Sequence, residues 1–399
     1  MLSGARRTTL SVRIDDARSL SPRTLAAWAE LEGRALEPNA YLSPYFVVPA
    51  LKHLDPEREV LALLIEARDG SSAEPHLVGI GVFQPVSGTR QFPLPHLVAY
   101  RSRHSFLSGL LLDREHAEAA VRALFLQLRE HRWRWHGLEF DSTWGDGPTY
   151  DLLRAHGFGN GVGHCTWNAR LRSVLQPSID RPQIEAARAK KVSDLKRKRR
   201  RLAELGKVTW TVRSDDTPAA SVDAFLDLEH RGWKGDNKSS LLSNGANERF
   251  FREMMQGFSR AGRAVLVELR LNDRIVASST NFVSGSGGFA FKIGWEPELA
   301  KVSPGAQAEL ELLERILDDR ALGHVDFWDS GAEAGSYMDE FWPGRRQLVS
   351  LAVSFSPISM PLIGLVQKAR SWRQQLRSFP TGFPVVNESA SQKSAGRVT

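Results

Sequence analysis

Apolar positions along the chain fall into two periodicities. Runs of strand length recur over residues 11–14, 60–65, 77–83, 137–141, 164–171, 208–212, 264–271, 274–283, 288–295, 325–329 and 347–355. Between them, apolar residues three and four apart mark helices. Leu25, Trp28 and Leu31 follow the start signal Ser21-Pro22, and a second helix over 45–54 follows Ser43-Pro44. Further helices are expected over 114–131, 190–205, 221–233 and 247–261, the third opened by Ser221 as cap. Ser303-Pro304 opens a long one reaching about residue 318. Turn signals at Asp69-Gly70 and Asn272-Asp273 set strands side by side as hairpins.

The order of elements repeats. Each half reads as a strand, two helices, a meander of strands, a long helix, a strand and a closing segment. The fold class expected is α/β with mixed, mostly antiparallel central sheets flanked by helices, built as two modules over 1–180 and 181–365. The halves show no obvious sequence identity, so the duplication rests on order alone. Residues 366–399 are read as a basic helix followed by a disordered tail.

Charge refines this picture. The net charge of +7 is unevenly spread: residues 1–180 are neutral, 181–207 carry +8, 208–365 carry −6 and 367–399 carry +5. The basic balance therefore belongs to two short segments, which argues against a nucleic-acid surface covering the whole protein. One cysteine, Cys165, excludes a disulfide framework, and the eleven histidines show no metal-ligand spacing. No P-loop or nucleophile-elbow pattern occurs. The amino terminus lacks the apolar core of a secretory signal, and the longest apolar stretch, 351–366, is broken by Pro357 and Pro361. The expectation is a cytoplasmic protein without a membrane span or metal; a peripheral membrane contact through the basic tail stays open.

Candidate chemistry gathers in the second half. Ser303-Pro304-Gly305-Ala306 opens a helix whose unpaired backbone N–H groups suit an anion, although Pro304 has none to give, and an ordinary cap reads the same way. Glu229, Arg231, Trp233 and Lys234 stand beside Gly232 and Gly235 at a helix end, where they either pack and cap or bind an acidic or ring-bearing substrate. Asp326-Phe327-Trp328-Asp329-Ser330-Gly331 runs off a strand end, the usual place for an acid that acts as a base, and Tyr337 follows as a proton donor or a packing residue. Six consecutive basic residues, 196–201, lie on a helix whose apolar side, with Val192, Leu195, Leu202 and Leu205, docks on the protein.

Taken in order, Leu228-Glu229-His230-Arg231-Gly232-Trp233-Lys234-Gly235, Thr280-Asn281-Phe282, Phe289-Ala290-Phe291-Lys292-Ile293-Gly294-Trp295, Ser303-Pro304-Gly305 and Asp326 to Gly331 resemble the GNAT-superfamily acetyltransferases of the cellulose-biosynthesis (CelD-like) type, relatives of the FemAB aminoacyl transferases. The resemblance covers roughly residues 183–344. It implies tandem GNAT-like modules and transfer of an acetyl or other acyl group from acyl-CoA to an amine or hydroxyl of a small molecule or saccharide. It also implies that Ile293, Gly294 and Trp295 offer backbone to the carrier and that the neighbouring strand parts from theirs. Ser303, Gly305 and Ala306 would face the pyrophosphate, and Arg231, Trp233 and Lys234 the substrate. Asp329, Glu229 and Tyr337 are our assignments for the acid–base steps. Two positions depart from the common pattern: residues 301–306 do not match [RQ]-x-x-G-x-[GA], and Met338 replaces the lysine often found after the tyrosine. The alternatives are a FemAB-like transferase drawing on aminoacyl-tRNA through the basic helix, and a non-catalytic protein that keeps the fold.

Overall fold

The computed structural model describes residues 8–70, 74–156, 163–213, 217–318, 322 and 325–378. The first half runs β1 (Thr8–Asp16), α1 (Pro22–Leu31), α2 (Pro44–His53), β2 (Leu61–Asp69), β3 (His76–Val86), β4 (His96–Ala99), β5 (Leu111–Leu112), α3 (Ala117–Glu130), β6 (Gly137–Trp144), α4 (Pro148–Ala155) and β7 (Gly163–Leu175). The second runs α5 (Pro177–Ala203), β8 (Val208–Arg213), α6 (Ala219–Arg231), α7 (Trp233–Asp236), α8 (Gly245–Arg260), β9 (Ala264–Leu271), β10 (Arg274–Ser284), β11 (Gly287–Trp295), α9 (Pro304–Leu317), β12 (Phe327–Glu333), β13 (Gly344–Ser354) and α10 (Ser359–Ser378).

Local signals act as read at several starts. The Ser21 and Ser43 side chains accept from Thr24 N and Tyr45 N, with proline in the first turn of each helix. Asn272 and Asp273 both take positive φ (49° and 66°), the conformation a two-residue hairpin needs between β9 and β10. Other expectations shift. Ser221 lies inside the first turn of α6, which begins behind Pro218. Ser303 precedes Pro304 but is left-handed (φ 50°), and its hydroxyl caps nothing; a capping side chain needs extended backbone to reach the following amides. β4 and α4 occupy segments without a clear period, and β12 starts two residues later than expected.

The strands join in one mixed sheet of order β1-β2-β3-β4-β6-β13-β7-β12-β11-β10-β9-β8, with β5 on β3. The last strand of each half crosses over. β13 lies between β6 and β7, with Ser354 opposite both Gly137 and Gly163, while β7 pairs on its other side with β12. The expected division at residue 181 falls near the start of α5, and the sheet runs on across it.

Alternation along the strands feeds a core on each face. One face carries α1, α2, α6 and α8, and its core mixes the halves: Trp28, Phe46 and Leu64 pack with Phe225, Phe250, Phe258, Phe282 and Phe289. Phe258 stacks on Phe282 at 4.4 Å and Phe46 meets Phe250 edge-on at 5.3 Å. Each such side chain, fully buried, stabilises by about 1.5–3 kcal/mol. On the other face α3 and α4 cover the first-half strands, and α5 and α9 the second. A buried carboxylate also ties the halves: Glu32 accepts from Ser43 Oγ (2.9 Å) and Ser284 Oγ (2.6 Å) and pairs with Arg263 (2.9 Å). Gly285 (φ 55°) lets β10 turn there, since a Cβ would sit 2.6 Å from the Glu32 carbonyl.

If β13 holds the sheet together, a chain ending after Pro343 will lose its cooperative thermal transition, because β6 and β7 lose their shared partner. A chain ending after Ile358 will keep it. Far-UV circular dichroism melts of the two truncations check this.

Candidate active site

The site begins where two parallel neighbours part. β11 and β12 pair only from Gly287 opposite Phe327 to Phe289 opposite Asp329. Beyond that point β11 bulges at Phe291, the extra residue between the pairs Asn281–Ala290 and Thr280–Lys292. β12 turns away at Gly331, whose φ of 68° no side chain adopts easily and whose Cβ would meet the Phe106 ring at 2.7 Å. The backbone of residues 290–293 is thus left without a strand partner on this side. A cavity of about 250 Å³ fills the gap, lined by that backbone with Lys234, Glu309, Ser330, Gly331 and Tyr337. Phe106, from the first half, also lines it.

Three ionisable side chains there are displaced from their ordinary behaviour, Glu309 and Lys292 chiefly by burial and Tyr337 although it is 54% exposed. Glu309, on α9, is buried with no charged partner, and its carboxyl is pushed up to about 7; its Oε2 finds no hydrogen-bond partner among the described residues. Burial, with the charge of Lys234 nearby, lowers Lys292 to about 8. Tyr337, half open to solvent, is raised by partial desolvation and then by the charge of Glu309. At the rim His104 is lowered to about 4 by burial first and then by Lys292, and it stacks on Phe250. Both a carboxyl near 7 and an ammonium near 8 in one cavity fall in the range where protons move at neutral pH.

Of the residues singled out from the sequence, Tyr337, Ile293 and Lys234 line this cavity. Lys234 Nζ donates to Glu229 Oε1 (3.3 Å) and the Ile293 carbonyl (3.5 Å). Glu229 is buried and fully occupied, accepting from Leu241 N (2.7 Å) as well. Asp329 points to the opposite face of β12. It is fully buried, accepting from Arg172 Nη1 (3.1 Å) and Gly331 N (3.0 Å), while Arg172 also donates to the Phe106 carbonyl (3.2 Å). Arg231 bonds Asp227 and, at 3.0 Å, Glu296. The Trp233 side chain lies outside the described residues. Gly294 passes under α6, where a Cβ would come within 2.7 Å of Glu229 N. Ser303, Gly305 and Ala306 stand at the start of α9 outside the cavity lining, with Gly305 packed under the Trp295 indole. The glycine fits close approach of that ring, and the first helical turn keeps the amide orientation that suits an anion.

Glu309 and Lys292 were not anticipated. Glu309 has a trace in the sequence: it falls on the buried stripe Gly305, Ala308, Leu312, Ile316 of α9, where an apolar residue is expected. Lys292 carries none, because its burial follows from the parting of two strands distant in sequence.

Comparison with known proteins bears on the fold. Residues 189–337 match the family model described as an acetyltransferase (GNAT) domain. No curated protein sequence matches the chain. Among solved structures, the chain is similar to a crystal structure of FemX (11% identity, 86% of this chain and 98% of that one, TM-score 0.54). It is also similar to a conserved protein of unknown function from Bacteroides thetaiotaomicron (11%, 86% and 100%, 0.50). A tandem GNAT protein from the clavulanic acid biosynthesis pathway aligns over 87% of this chain at 14% identity, TM-score 0.39. The fold is GNAT-like: a large mixed sheet flanked by helices. The match to the acetyltransferase (GNAT) domain model falls within the second half.

Two stability measurements follow. Arg172→Met should destabilise by about 3–5 kcal/mol in urea unfolding, because the buried Asp329 charge loses its partner. Glu309 has its carboxyl raised in the fold, so the protonated form is favoured and ionisation opposes folding as pH rises from 4.5 through 7. Glu309→Gln should therefore gain on the order of 2–3 kcal/mol over the parent at pH 8 and nothing below pH 4.5.

Proposed function

We propose that the chain moves an acetyl or other acyl group from an acyl-CoA thioester to an amine or hydroxyl of a small-molecule or saccharide acceptor, as in the CelD-like type. The reaction site is the cleft between β11 and β12. The observation that carries this reading is the carboxyl of Glu309, buried without an ion-pair partner among the described residues, in a cavity lined by unpaired strand backbone, and raised to about 7. The carrier supplies the activated acyl carbon. Glu309 takes the proton from the attacking nitrogen or oxygen as the new bond to that carbon forms. The carbon–sulfur bond breaks, and Lys292, near 8, returns a proton to the departing thiolate; Tyr337, raised, is the weaker acid and serves to orient the acceptor. Exposed N–H groups along β11 offer stabilisation to the developing oxyanion. Ile293, Gly294 and Trp295 would hold the carrier's arm, and Ser303, Gly305 and Ala306 its phosphates. Lys234 faces the acceptor. In this reading residues 1–180 supply Phe106 and the strand β7 to an active module over 181–365.

Calorimetric titration with acetyl-CoA, and thiol release across a panel of amine and hydroxyl acceptors, test the proposal. Glu309→Gln should keep acetyl-CoA affinity and lose about 10²–10⁴-fold in kcat, and the rise of rate with pH through about 7 should vanish with it. An unchanged rate and pH profile would overturn the assignment. Saturable binding without release across the panel would favour a non-catalytic GNAT-fold protein.

One observation favours a second reading. α5 docks through Ile184, Leu195 and Leu202 and presents Lys190, Arg197, Arg200 and Arg201 on its outer face, with Asp194 and Glu204 among them. Such a surface suits the phosphates of an aminoacyl-tRNA carrier. Affinity for tRNA that falls steeply with salt would support it.

A further inference from the structure

Four large apolar side chains stand exposed at one end of the sheet, where β6 begins and β13 ends. Ile358, Leu365 and Trp372 are 46%, 64% and 70% exposed. Leu365 and Trp372, seven apart on α10, share one helix face, and Ile358 stands in the turn that enters the helix. The opposite side of α10 is fixed to the body. Ile363 is fully buried against Phe92 and Ala352, with Met360, Cys165 and Trp167 around it. The outward stripe is therefore held in place by the fold. The fourth residue, Trp133, is 65% exposed on the turn that enters β6. That turn is tied to the start of the α10 segment: Phe355 N donates to the His136 carbonyl (2.9 Å), and Ser354 pairs with Gly137.

Basic residues surround these side chains. Arg132 lies over the Trp133 ring (5.6 Å) and Arg134 over Trp135 (4.5 Å). Lys368 lies one turn from both Leu365 and Trp372 on α10, and in the sequence residues 367–399 hold six basic residues against one acidic. Indole rings with guanidinium groups beside aliphatic side chains match the boundary between headgroups and hydrocarbon. Two copies of this surface would set like charges against each other across a twofold contact. The aliphatic residues offer nothing to a nucleic acid. No described helix is long and apolar enough to cross a membrane, so the contact is one of surface.

We infer that this end of the sheet docks on an anionic lipid bilayer, with Trp133, Ile358, Leu365 and Trp372 entering the interface and the adjoining basic residues meeting the headgroups. The test is sedimentation of the full chain with vesicles of phosphatidylcholine alone or with phosphatidylglycerol. Binding should require phosphatidylglycerol, weaken with salt, and fall about tenfold or more in Leu365→Ser/Trp372→Ser and, separately, in Trp133→Ser. All three positions are exposed, so the melting temperature should stay at the parent value. Equal binding to both vesicle types, or undiminished binding by both variants, would overturn the inference. So would self-association in light scattering that the same substitutions abolish, because a second copy would then be the occupant.

Discussion

The structure depends on an exchange of strands. β7 leaves the first half to complete the second half's sheet beside β12, and β13 returns to fill the place between β6 and β7. Backbone hydrogen bonds along both edges of β13 make the two halves one sheet, and the shared aromatic core on the α1, α2, α6 and α8 face makes them one interior. Neither half retains a full set of strand partners without the other. The buried ties from Glu32 to Ser284 and Arg263, and from Arg172 to Asp329, are satisfied only in the joined molecule.

Against that frame the cleft is a local withdrawal of the same bonding. Three pairs hold β11 to β12; then a bulge on one strand and a left-handed glycine on the other open the gap. The exposed backbone and the uncompensated Glu309 are unfavourable in isolation. The packed face beneath, with Phe251, Phe282 and Phe289 fully buried, offsets them. The rigidity that keeps the gap open keeps water scarce at Glu309 and Lys292, and their shifted acidities follow from that scarcity.

Much of this was legible in the chain. Ser21-Pro22, Ser43-Pro44 and Asn272-Asp273 act through bonds within a few residues, so their signals survive without knowledge of the tertiary structure. The mixed α/β class and the alternation of helices and strands follow from periodicity. β4 was hidden because its four residues lie between prolines and a loop, and α4 because eight residues give little more than two turns of pattern. The crossing of β7 and β13 depends on partners nearly two hundred positions apart, and nothing local records it. The site divides the same way. The Phe289-to-Trp295 strand and Tyr337 are recognisable as a motif, whereas Asp329 reads identically whether its side chain enters the cleft or turns to Arg172. Glu309 was visible only as a charge on an apolar stripe, which is ambiguous until the opposing wall of the cleft is known.

The threading of β13 also sets a schedule. A chain emerging from the ribosome presents β6 and β7 well before β13, the strand that joins them, which follows the other strands of the second half. Until then β6 and β7 each lack a partner along one edge. The pairing of β6 and β7 thus waits on β13, and until it forms their open edges invite edge-to-edge association. Its sheet is closed by the final strand, and the order of translation is built into how it can fold.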